Sequence, residues 1–506
     1  MPVDYYLEEV EGILAVNFKS DDSFLRKLVV GAAGVNATMN TLKNLGFSPI
    51  ELERGSTGFK IWKKIKIKRI RVPDILCLKT GLRFESRGKT KLEISMSHSL
   101  NDPKRAWDYG MRDDDFVSIV AFYQDEFVPI KIEQISPLHF ITVKEMRHCF
   151  LNNQVTITKP KGFEEGSEIR VIWNSALSNY DSKVFEITPE KIIFTPTSNN
   201  GKKQTILLKR NKGKINLLPQ ISKGDCIKQN QIVASVVPIN LSLSCPPVVN
   251  ESYFLEKLQS VNLSERYAAA KALRYKGFST KGKKVLIDRM LDSEEDIYVL
   301  LEVAAALATS DNQDAWKFIE SKLYSPYLTV PLETQLETII VISEIPSQNS
   351  EKILIDILKD NNRDTELRAG AAWALGQFPT KNTASALVNI FDLNNTDIKI
   401  ESARALLRIG EEQKEHLVSL IKSIPPNKRD GISWVLARIG NFDINKLADT
   451  SDDNLRMWAS YILGYGKDGF TENQIENICK SDPEIYFAAS VLWQILNSWI
   501  NGLLEY

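Results

Sequence analysis

Two acidic and two basic side chains are spaced in a way that could support chemistry on phosphates. Asp74 opens one predicted strand, and Glu85, Arg87 and Lys89 lie on the next one. Residues two apart in a strand point to one face, so the last three share a face of the predicted sheet. Two carboxylates on adjacent strands could hold Mg²⁺ or Mn²⁺, cations that prefer oxygen ligands. Such a metal would polarise a scissile phosphate and activate water, while the basic side chains would steady the developing negative charge.

These residues resemble the signature of the PD-(D/E)XK nuclease superfamily, which has an Asp early in one strand and a Glu-x-Lys in the following strand. The resemblance implies a restriction-endonuclease-like α/β domain that binds Mg²⁺ (or Mn²⁺) through Asp74 and Glu85. It also implies catalytic roles for Asp74, Glu85, Arg87 and Lys89. Hydrolysis of a phosphodiester bond is therefore the first hypothesis for this region.

Two features depart from the family pattern. Arg87 occupies the position of the family's Lys, and an Arg supplies charge but cannot deprotonate to act as a base. Lys89 would take that role after a local shift of the strand. The family's helix-borne Glu is also missing, because the predicted first helix has acidic residues only at its start. Glu51 and Glu53, on the preceding strand, are the expected replacements, with Glu53 as the third metal ligand.

A strongly basic segment immediately precedes Asp74. Lysines alternate with isoleucines from residue 64 to 68, so a strand here would have one basic and one apolar face. A row of cations beside a cutting site would bind the phosphates of nucleic acid, with DNA expected before RNA. The alternative is an edge strand that its lysines protect from aggregation. The predicted nucleic-acid-binding residues are Lys64, Lys66, Lys68, Arg69 and Arg71.

Two structural explanations compete with the metal site. Charged residues at alternating strand positions also form an ordinary solvated face with cross-strand pairs. An inactive version of the same fold, or an unrelated sheet with a basic face, would place these side chains without any chemistry. Hydrolytic activity is thus one hypothesis. The other is a non-enzymatic head, as we call the N-terminal domain of residues 1–150, that binds nucleic acid or protein.

The elements that would position these residues form a mixed layer of helix and strands. Residues 21–45 read as one helix that begins at an Asp cap and stops at Gly46. The order of helix, three strands, crossover and further strands is typical of an α/β or α+β layer. Short strands separated by Gly, Asn and Ser turns then predict a small all-β domain. The strand-like segments of the first layer lie at 47–55, 65–78, 82–97, 115–123 and 127–135.

The C-terminal half repeats one pattern, in which small residues precede an aliphatic pair at intervals of roughly 27 to 35 residues. Small residues let neighbouring helices approach closely, and one Leu or Ile per copy fills the seam between repeats. Segments such as AAWALGQF resemble the HEAT-repeat family, in the short variety found in phycobilisome-lyase-type proteins. This resemblance implies an armadillo-like α-helical solenoid. The predicted seam residues are Leu273, Leu307, Ile342, Leu375, Leu406, Leu436, Leu463 and Leu492.

Two series of side chains keep a fixed distance from the seams. A basic residue stands seven positions before several of them and is expected to pair with an acidic group of the adjacent repeat. Aromatic residues and an Arg stand two positions before four seams, a composition typical of binding hot spots. This second series is the predicted partner-binding stripe, with ordinary core packing as the alternative. The basic series is Arg266, Arg368, Lys399, Arg429 and Arg456, and the stripe is Trp373, Arg404, Trp434 and Tyr461.

The charge distribution separates the two halves although the net charge is zero. Basic residues exceed acidic ones by 23 to 20 in residues 1–150 and by 13 to 7 in residues 151–250. Acidic residues exceed basic ones by 37 to 28 in residues 251–506, which argues against the solenoid as the main nucleic-acid surface. The five cysteines include no CxxC pair, so neither a disulfide framework nor a zinc ribbon is expected.

No apolar run approaches the length of about 18 residues that a membrane-spanning helix needs, and the N-terminus is acidic where a signal peptide would be basic. A cytoplasmic protein without membrane association is therefore expected. The sequence predicts a multidomain α+β protein with a nuclease-like α/β domain at 1–150, a small all-β domain at 151–249 and a HEAT-repeat solenoid at 250–506.

The predicted function is metal-dependent, nuclease-like action on nucleic acid, or binding of it, in a setting such as bacterial defence. The solenoid would then dock a protein partner or the substrate. The alternative is a non-enzymatic helical scaffold with a catalytically inactive head.

Overall fold

The computed structural model divides the chain into two compact units, Met1–Leu307 and Ala308–Tyr506. The protein is a multidomain α+β protein, with mixed sheets in the N-terminal half and, in the described part of the C-terminal half, helices alone. The predicted domain bounds at 150 and 249 both fall inside the first unit. The structure describes residues 22–52, 70–126, 131–159, 161–163, 166–197, 203–210, 213–324, 330–466 and 469–491.

One long helix and a mixed sheet begin the first unit. Helix α1 (Asp22–Asn44) confirms the predicted helix, and Gly46 follows it with a φ of +88°. The sheet strands are β1 (Pro49–Glu51), β2 (Ile75–Cys77), β3 (Arg83–Lys89), β5 (Phe116–Gln124), β6 (Ile132–Gln134) and β7 (His139–Thr142), while β4 (Ile94–Ser99) lies in another sheet.

The order of this first sheet is β1-β2-β3-β5-β6, with β7 also paired to β5. Strand β2 runs antiparallel to both β1 and β3, whereas β3 and β5 are parallel. Strands β2 and β5 are nearly continuous apolar runs, as expected of strands that are covered on both faces. The parallel pair brings the carboxyl ends of β3 and β5 to the same edge.

Strand β3 packs closely against α1 through small residues. A Cβ atom added to Gly34 would lie 2.6 Å from the backbone nitrogen of Gly88, so the helix and strand can approach only without side chains here. The buried Thr38 hydroxyl lies 3.2 Å from that of Ser86 and 2.9 Å from that of Ser118. The even-numbered residues of β3 therefore face α1, and the odd-numbered residues face the opposite side of the sheet.

The segment 82–97, predicted as one strand, is two strands in different sheets. Strand β3 ends at Lys89, and the chain bends at residues 90 and 91 before β4 begins. Strand β4 pairs antiparallel with β10 (Gly166–Trp173), with Ile94 opposite Trp173. The prediction was wrong here because alternation continues in register through the polar bend, while long-range pairing with β10 determines the sheet.

The strands after residue 151 form short antiparallel sheets. One has the order β14-β13-β12-β18, and another has the order β11-β19-β17. The elements of this region are α2 (Val143–Leu151), β8 (Thr156–Ile157), β9 (Lys161–Phe163), β10, β11 (Ser175–Leu177), β12 (Ser182–Ile187), β13 (Lys191–Pro196), β14 (Gln204–Leu207), β15 (Lys209–Arg210), β16 (Ile215–Asn216), β17 (Leu218–Pro219), β18 (Cys226–Ile227) and β19 (Ile232–Ser235).

A single core joins these strands to the head. The Trp107 and Trp173 rings lie 4.9 Å apart between centroids, and the Trp173 indole N–H donates to the Met146 carbonyl at 3.0 Å. Buried residues on both sides of residue 150 belong to one hydrophobic cluster. The head and the small sheets thus share their hydrophobic interior.

The first helices of the C-terminal half complete the first unit: α3 (Glu251–Lys257), α4 (Leu263–Lys276), α5 (Thr280–Met290) and α6 (Ile297–Ala308). A buried cation ties them to the sheet. Arg83 of β3 is 1% exposed and its Nη2 lies 2.5 Å from Oδ2 of the buried Asp115. Arg83 also donates to the Ser264 hydroxyl at the start of α4, at 2.6 Å.

The second unit is a succession of helices whose first turns are capped by polar side chains. Asp364, Asn395 and Asp452, for example, each accept a backbone N–H of the helix that follows. The helices are α7 (Gln313–Tyr324), α8 (Leu332–Ser343), α9 (Gln348–Lys359), α10 (Thr365–Leu375), α11 (Lys381–Val388), α12 (Thr396–Ser423), α13 (Arg429–Ile439), α14 (Asn445–Ala448), α15 (Asp453–Tyr465) and α16 (Glu472–Ser481).

The repeat pattern is confirmed by burial, since every predicted seam residue that the structure describes is fully buried. Leu492 lies outside the described residues. Three of the predicted basic residues form ion pairs with a later repeat, namely Arg266 with Glu295, Arg429 with Asp452 and Arg456 with Asp482. Arg368 instead donates to the Leu358 carbonyl at 2.9 Å, and the pairing of Lys399 stays a prediction.

All five cysteines are free thiols. Within the described ranges, no helix combines the length and the apolar character that crossing a membrane requires.

The buried contacts of Arg83 predict a large loss of stability on truncation. Arg83→Ala would leave Asp115 buried beside fewer cations, and we expect the free energy of unfolding to fall by about 3–5 kcal/mol. Ser264→Ala should cost about 1–3 kcal/mol, and the exposed control Lys43→Ala less than about 0.5 kcal/mol. Urea unfolding measures all three. Equal stability of the Arg83 variant and the control would contradict the anchoring role.

Candidate nucleic-acid interface

Asp74 and Glu85 lie on neighbouring strands at matching positions. Ile75 pairs with Phe84 and Leu76 with Arg83, and continuing this register by one residue sets Asp74 opposite Glu85. Residues directly opposite in an antiparallel pair point to the same face. The Asp74 carboxylate accepts the Ser86 backbone N–H at 2.7 Å, so one of its oxygens already has a hydrogen-bond partner on β3.

The face that carries Glu85 is rich in guanidinium groups. Arg87 lies two residues further along β3, and its Nη2 is 2.6 Å from Oε1 of Glu85. Arg71 donates to the Ala106 carbonyl at 2.8 Å and interacts electrostatically with both Glu85 and Arg87. Burial lowers the pKa of Arg71, and the Glu85 carboxylate acts in the opposite direction. Glu85 is therefore a shielded carboxylate among cations.

A basic cleft of about 660 Å³ opens at the carboxyl ends of β3 and β5. Among the described residues that line it, Glu93 is the one carboxylate, and it lies 3.9 Å from a guanidinium nitrogen of Arg170. The carboxyl edge of parallel strands is a frequent place for ligands in open α/β sheets. The basic lining residues are Arg26, Lys27, Arg87, Lys89, Lys91 and Arg170.

These cations come from four elements. Arg26 and Lys27 belong to the first turns of α1, where Arg26 is held by the carbonyls of Asp125 at 3.0 Å and Glu126 at 2.6 Å. Arg87 and Lys89 extend from β3, Lys91 follows in the bend, and Arg170 extends from β10. The cleft therefore depends on the tertiary fold, which brings together cations from distant parts of the chain.

Lys89 is the least hydrated of the cleft's amines. It is half-buried, and its Nζ lies 3.3 Å from both the carbonyl and the hydroxyl oxygen of Ser95. Burial lowers the Lys89 pKa to about 8, and the charges of Arg87 and Arg170 act in the same direction. A bound anion would oppose these effects, because it favours the protonated amine.

The donor set fits a divalent cation only in part. Asp74 and Glu85 supply carboxylate oxygens, and Mg²⁺ can be held by two carboxylates and water. However, the described residues contain no group of three or more His, Cys, Asp or Glu side chains that could hold a metal. A metal at Glu85 would also have to displace the Arg87 guanidinium from its carboxylate.

Several predicted site residues lie outside the described residues. Glu53 and the lysines Lys64, Lys66 and Lys68, together with Arg69, belong to this group. Arg71 is described, and it lies near the Glu85 face. Sequence reasoning missed Arg26, Lys27 and Arg170 as partners of Arg87 and Lys89. The adjacent Arg26 and Lys27 at the start of a helix gave the only sequence signal.

The predicted partner-binding stripe lies on the first helix of four successive repeats. Trp373, Trp434 and Tyr461 are half-buried, and Arg404 is exposed and forms an ion pair with Glu401 at 2.5 Å. Their side chains thus take part in packing and also reach the surface. Whether the stripe binds a partner stays a prediction.

Comparison with known proteins leaves the family open. No family model matches the chain, and no curated protein matches it. The solved complex of CpcE and CpcF of phycocyanin lyase from Nostoc sp. PCC7120 is 17% identical over 49% of this chain and 96% of that chain, with a TM-score of 0.24.

Other solved structures are similar at the same level. An engineered protein is 18% identical over 48% of this chain and 77% of that chain, with a TM-score of 0.23. Human deoxyhypusine hydroxylase in complex with glycerol is 15% identical over 43% of this chain and 84% of that chain, with a TM-score of 0.19. At these TM-scores the likeness assigns neither an activity nor a site.

The lowered pKa of Lys89 predicts a pH dependence of anion binding. Because a phosphate favours the charged amine, affinity should be constant below about pH 8 and fall above it, by up to about tenfold per pH unit. Fluorescence anisotropy with duplex DNA between pH 7 and 9 measures this. Lys89→Arg keeps its charge throughout and should flatten the profile. An identical fall in the wild type and the Arg variant would contradict a role for Lys89.

Proposed function

We propose that the head binds the phosphate backbone of nucleic acid in the basic cleft. The main support is that six Lys and Arg side chains, with one Glu, are among the described residues that line the cleft at the carboxyl edge of β3 and β5. Cations in a partly desolvated groove attract polyanions and release their counterions, which favours nucleic acid over singly charged ligands. DNA is the proposed substrate before RNA.

The surroundings of the cleft support an extended ligand. Arg71 continues the positive face past Glu85, and the basic segment predicted at residues 64–69 leads directly into it along the chain. Lys27 and Lys91 are exposed, so they are available to phosphates at the surface. The excess of basic over acidic residues in residues 1–250 acts in the same direction.

Mg²⁺-dependent hydrolysis is the second candidate function. It is favoured by the register that sets Asp74 opposite Glu85, on the face that also carries Arg87 and Lys89. Asp74 and Glu85 would hold the metal, which would polarise the phosphate and activate water. Lys89, with its lowered pKa, would be the group able to exchange a proton near neutral pH. In a non-enzymatic head, the same carboxylates would only balance the arginines.

Removing exposed cations of the cleft should weaken binding and its salt dependence. For Lys27→Gln/Lys91→Gln we expect the slope of log affinity for duplex DNA against log salt to decrease in magnitude by about 1 to 2. Anisotropy titrations between low and moderate salt measure the slope.

The matched control for this pair is Lys43→Gln/Lys144→Gln, which removes the same charge at exposed positions elsewhere in the head. Equal slopes for the two double variants would show that net charge alone governs binding and would contradict a cleft site.

Hydrolysis is tested separately from binding. If the head cleaves DNA or RNA in Mg²⁺ or Mn²⁺, Asp74→Asn and Glu85→Gln should each lower the rate by about two orders of magnitude. Both variants should retain affinity, since neither removes a cation. Glu93→Gln, in the same cleft, should cleave at the wild-type rate. Cleavage that survives both substitutions would reject Asp74 and Glu85 as the metal site.

A further inference from the structure

Two arginines on helices of the second unit lie over aromatic rings. The Arg408 guanidinium lies 5.5 Å from the Trp373 ring centroid, and that of Arg438 lies 4.7 Å from Trp434. Arg438 also lies 5.5 Å from the Tyr465 ring and donates to its hydroxyl at 2.8 Å. We call Trp373, Arg404, Arg408, Trp434, Arg438, Tyr461 and Tyr465 the cation–aromatic ladder.

The ladder has a regular origin in the repeats. Arg408, Arg438 and Tyr465 each follow a residue of the predicted stripe by four positions, so each lies one helical turn beyond it on the same face. Contacts between helices join these residues in two pairs: Arg408 of α12 lies over Trp373 of α10, and Arg438 of α13 lies over Tyr465 of α15. Tyr465 in turn stacks on Tyr461 with centroids 5.6 Å apart.

Stacking prepares an arginine to bind a carboxylate. The aromatic ring covers one face of the planar guanidinium, while the N–H groups lie in its plane and point outward from the edge. This geometry suits a bidentate pair with a carboxylate and reduces the side-chain entropy that binding would cost. Arg408 and Arg438 are exposed residues, and one guanidinium nitrogen of each already donates within the protein, Arg408 to the Trp373 carbonyl and Arg438 to the Tyr465 hydroxyl. Their remaining N–H groups are the ones that a ligand could accept from.

The ladder is cationic in a unit that is acidic. Residues 308–506 contain 28 acidic and 19 basic residues, a net charge of −9. Among the described residues, Glu401 is the one carboxylate in contact with the ladder's arginines. Glu401 is itself buried, and burial raises its pKa. The ladder is therefore a locally positive surface in a unit with a negative net charge.

We propose that this ladder docks a short acidic segment of a partner protein that also carries aromatic residues. Arg408 and Arg438 match carboxylates of the segment, since Arg404 is already paired with Glu401. The ring edges together with Ile400 and Met457, which are 42% and 53% exposed, match apolar side chains. Nucleic acid fits less well, because its continuous charge would extend from the strip onto the acidic remainder of the unit.

Binding of a synthetic peptide tests the proposal on the full chain. A fluorescein-labelled peptide of alternating Glu and Tyr should bind in an anisotropy titration, and an alternating Ser and Tyr peptide should bind at least about tenfold more weakly. Arg408→Glu/Arg438→Glu should weaken the acidic peptide by about tenfold or more. Arg408→Gln/Arg438→Gln removes the two charges without reversing them, so its loss of affinity for the acidic peptide should be smaller. This pair keeps the test valid if the glutamate variant misfolds.

Lys317→Glu/Lys480→Glu is the matched control, because it makes the same charge change at two exposed lysines of the second unit. It should leave the affinity within about twofold. Three results would overturn the proposal: no binding by the wild type, equal loss in ladder and control variants, or loss of oligo(dT) binding in the ladder variants. The last would assign the ladder to nucleic acid.

Discussion

The alternation of strand β3 is the constraint on which the first unit depends. Phe84, Ser86 and Gly88 face α1, where Gly88 must lack a side chain for helix and strand to meet. The odd-numbered residues consequently share the other face, and Arg83 among them is fixed by Asp115 and Ser264. A slip of one residue would exchange the two faces and bury the charges. The packing that makes the core thus also aligns the charged groups.

Positive charge gathered in this way carries an energetic cost that a ligand can relieve. Lys89 loses hydration beside Arg87 and Arg170, which is why its pKa falls toward neutrality. A polyanion in the cleft would restore favourable interactions for each of these groups. In the second unit, Arg408 and Arg438 of the ladder instead lie over aromatic rings, which stabilise a cation without neutralising it. The two surfaces therefore suit anionic ligands of different kinds.

Much of the fold follows from local sequence patterns. The bounds of α1 agree with the prediction to within one residue at each end, and the seam residues from Leu273 to Leu463 are all buried. Both features could be predicted because helical periodicity and helix-capping residues are visible within one continuous segment of the sequence. The pairing of β4 with β10 could not be read in the same way, because it joins residues 69 to 79 positions apart.

The candidate site was predictable only where it lies on one strand. Arg87 and Lys89 are two residues apart, whereas Arg26 and Arg170 reach the same cleft from distant parts of the chain. The burial of Arg83 could not be predicted from the sequence, since a charged residue in an alternating strand ordinarily faces water. In the ladder, the spacing of four between Trp434 and Arg438 was visible in the sequence, but their stacking required the structure.

The most direct test of the cleft is a lysine-reactivity footprint of the full chain with and without duplex DNA, read by mass spectrometry after mild acetylation. The account predicts that DNA lowers the reactivity of Lys27, Lys89 and Lys91, while Lys43 and Lys144 react as before. Unchanged reactivity of the three cleft lysines, with protection elsewhere on the chain, would contradict it.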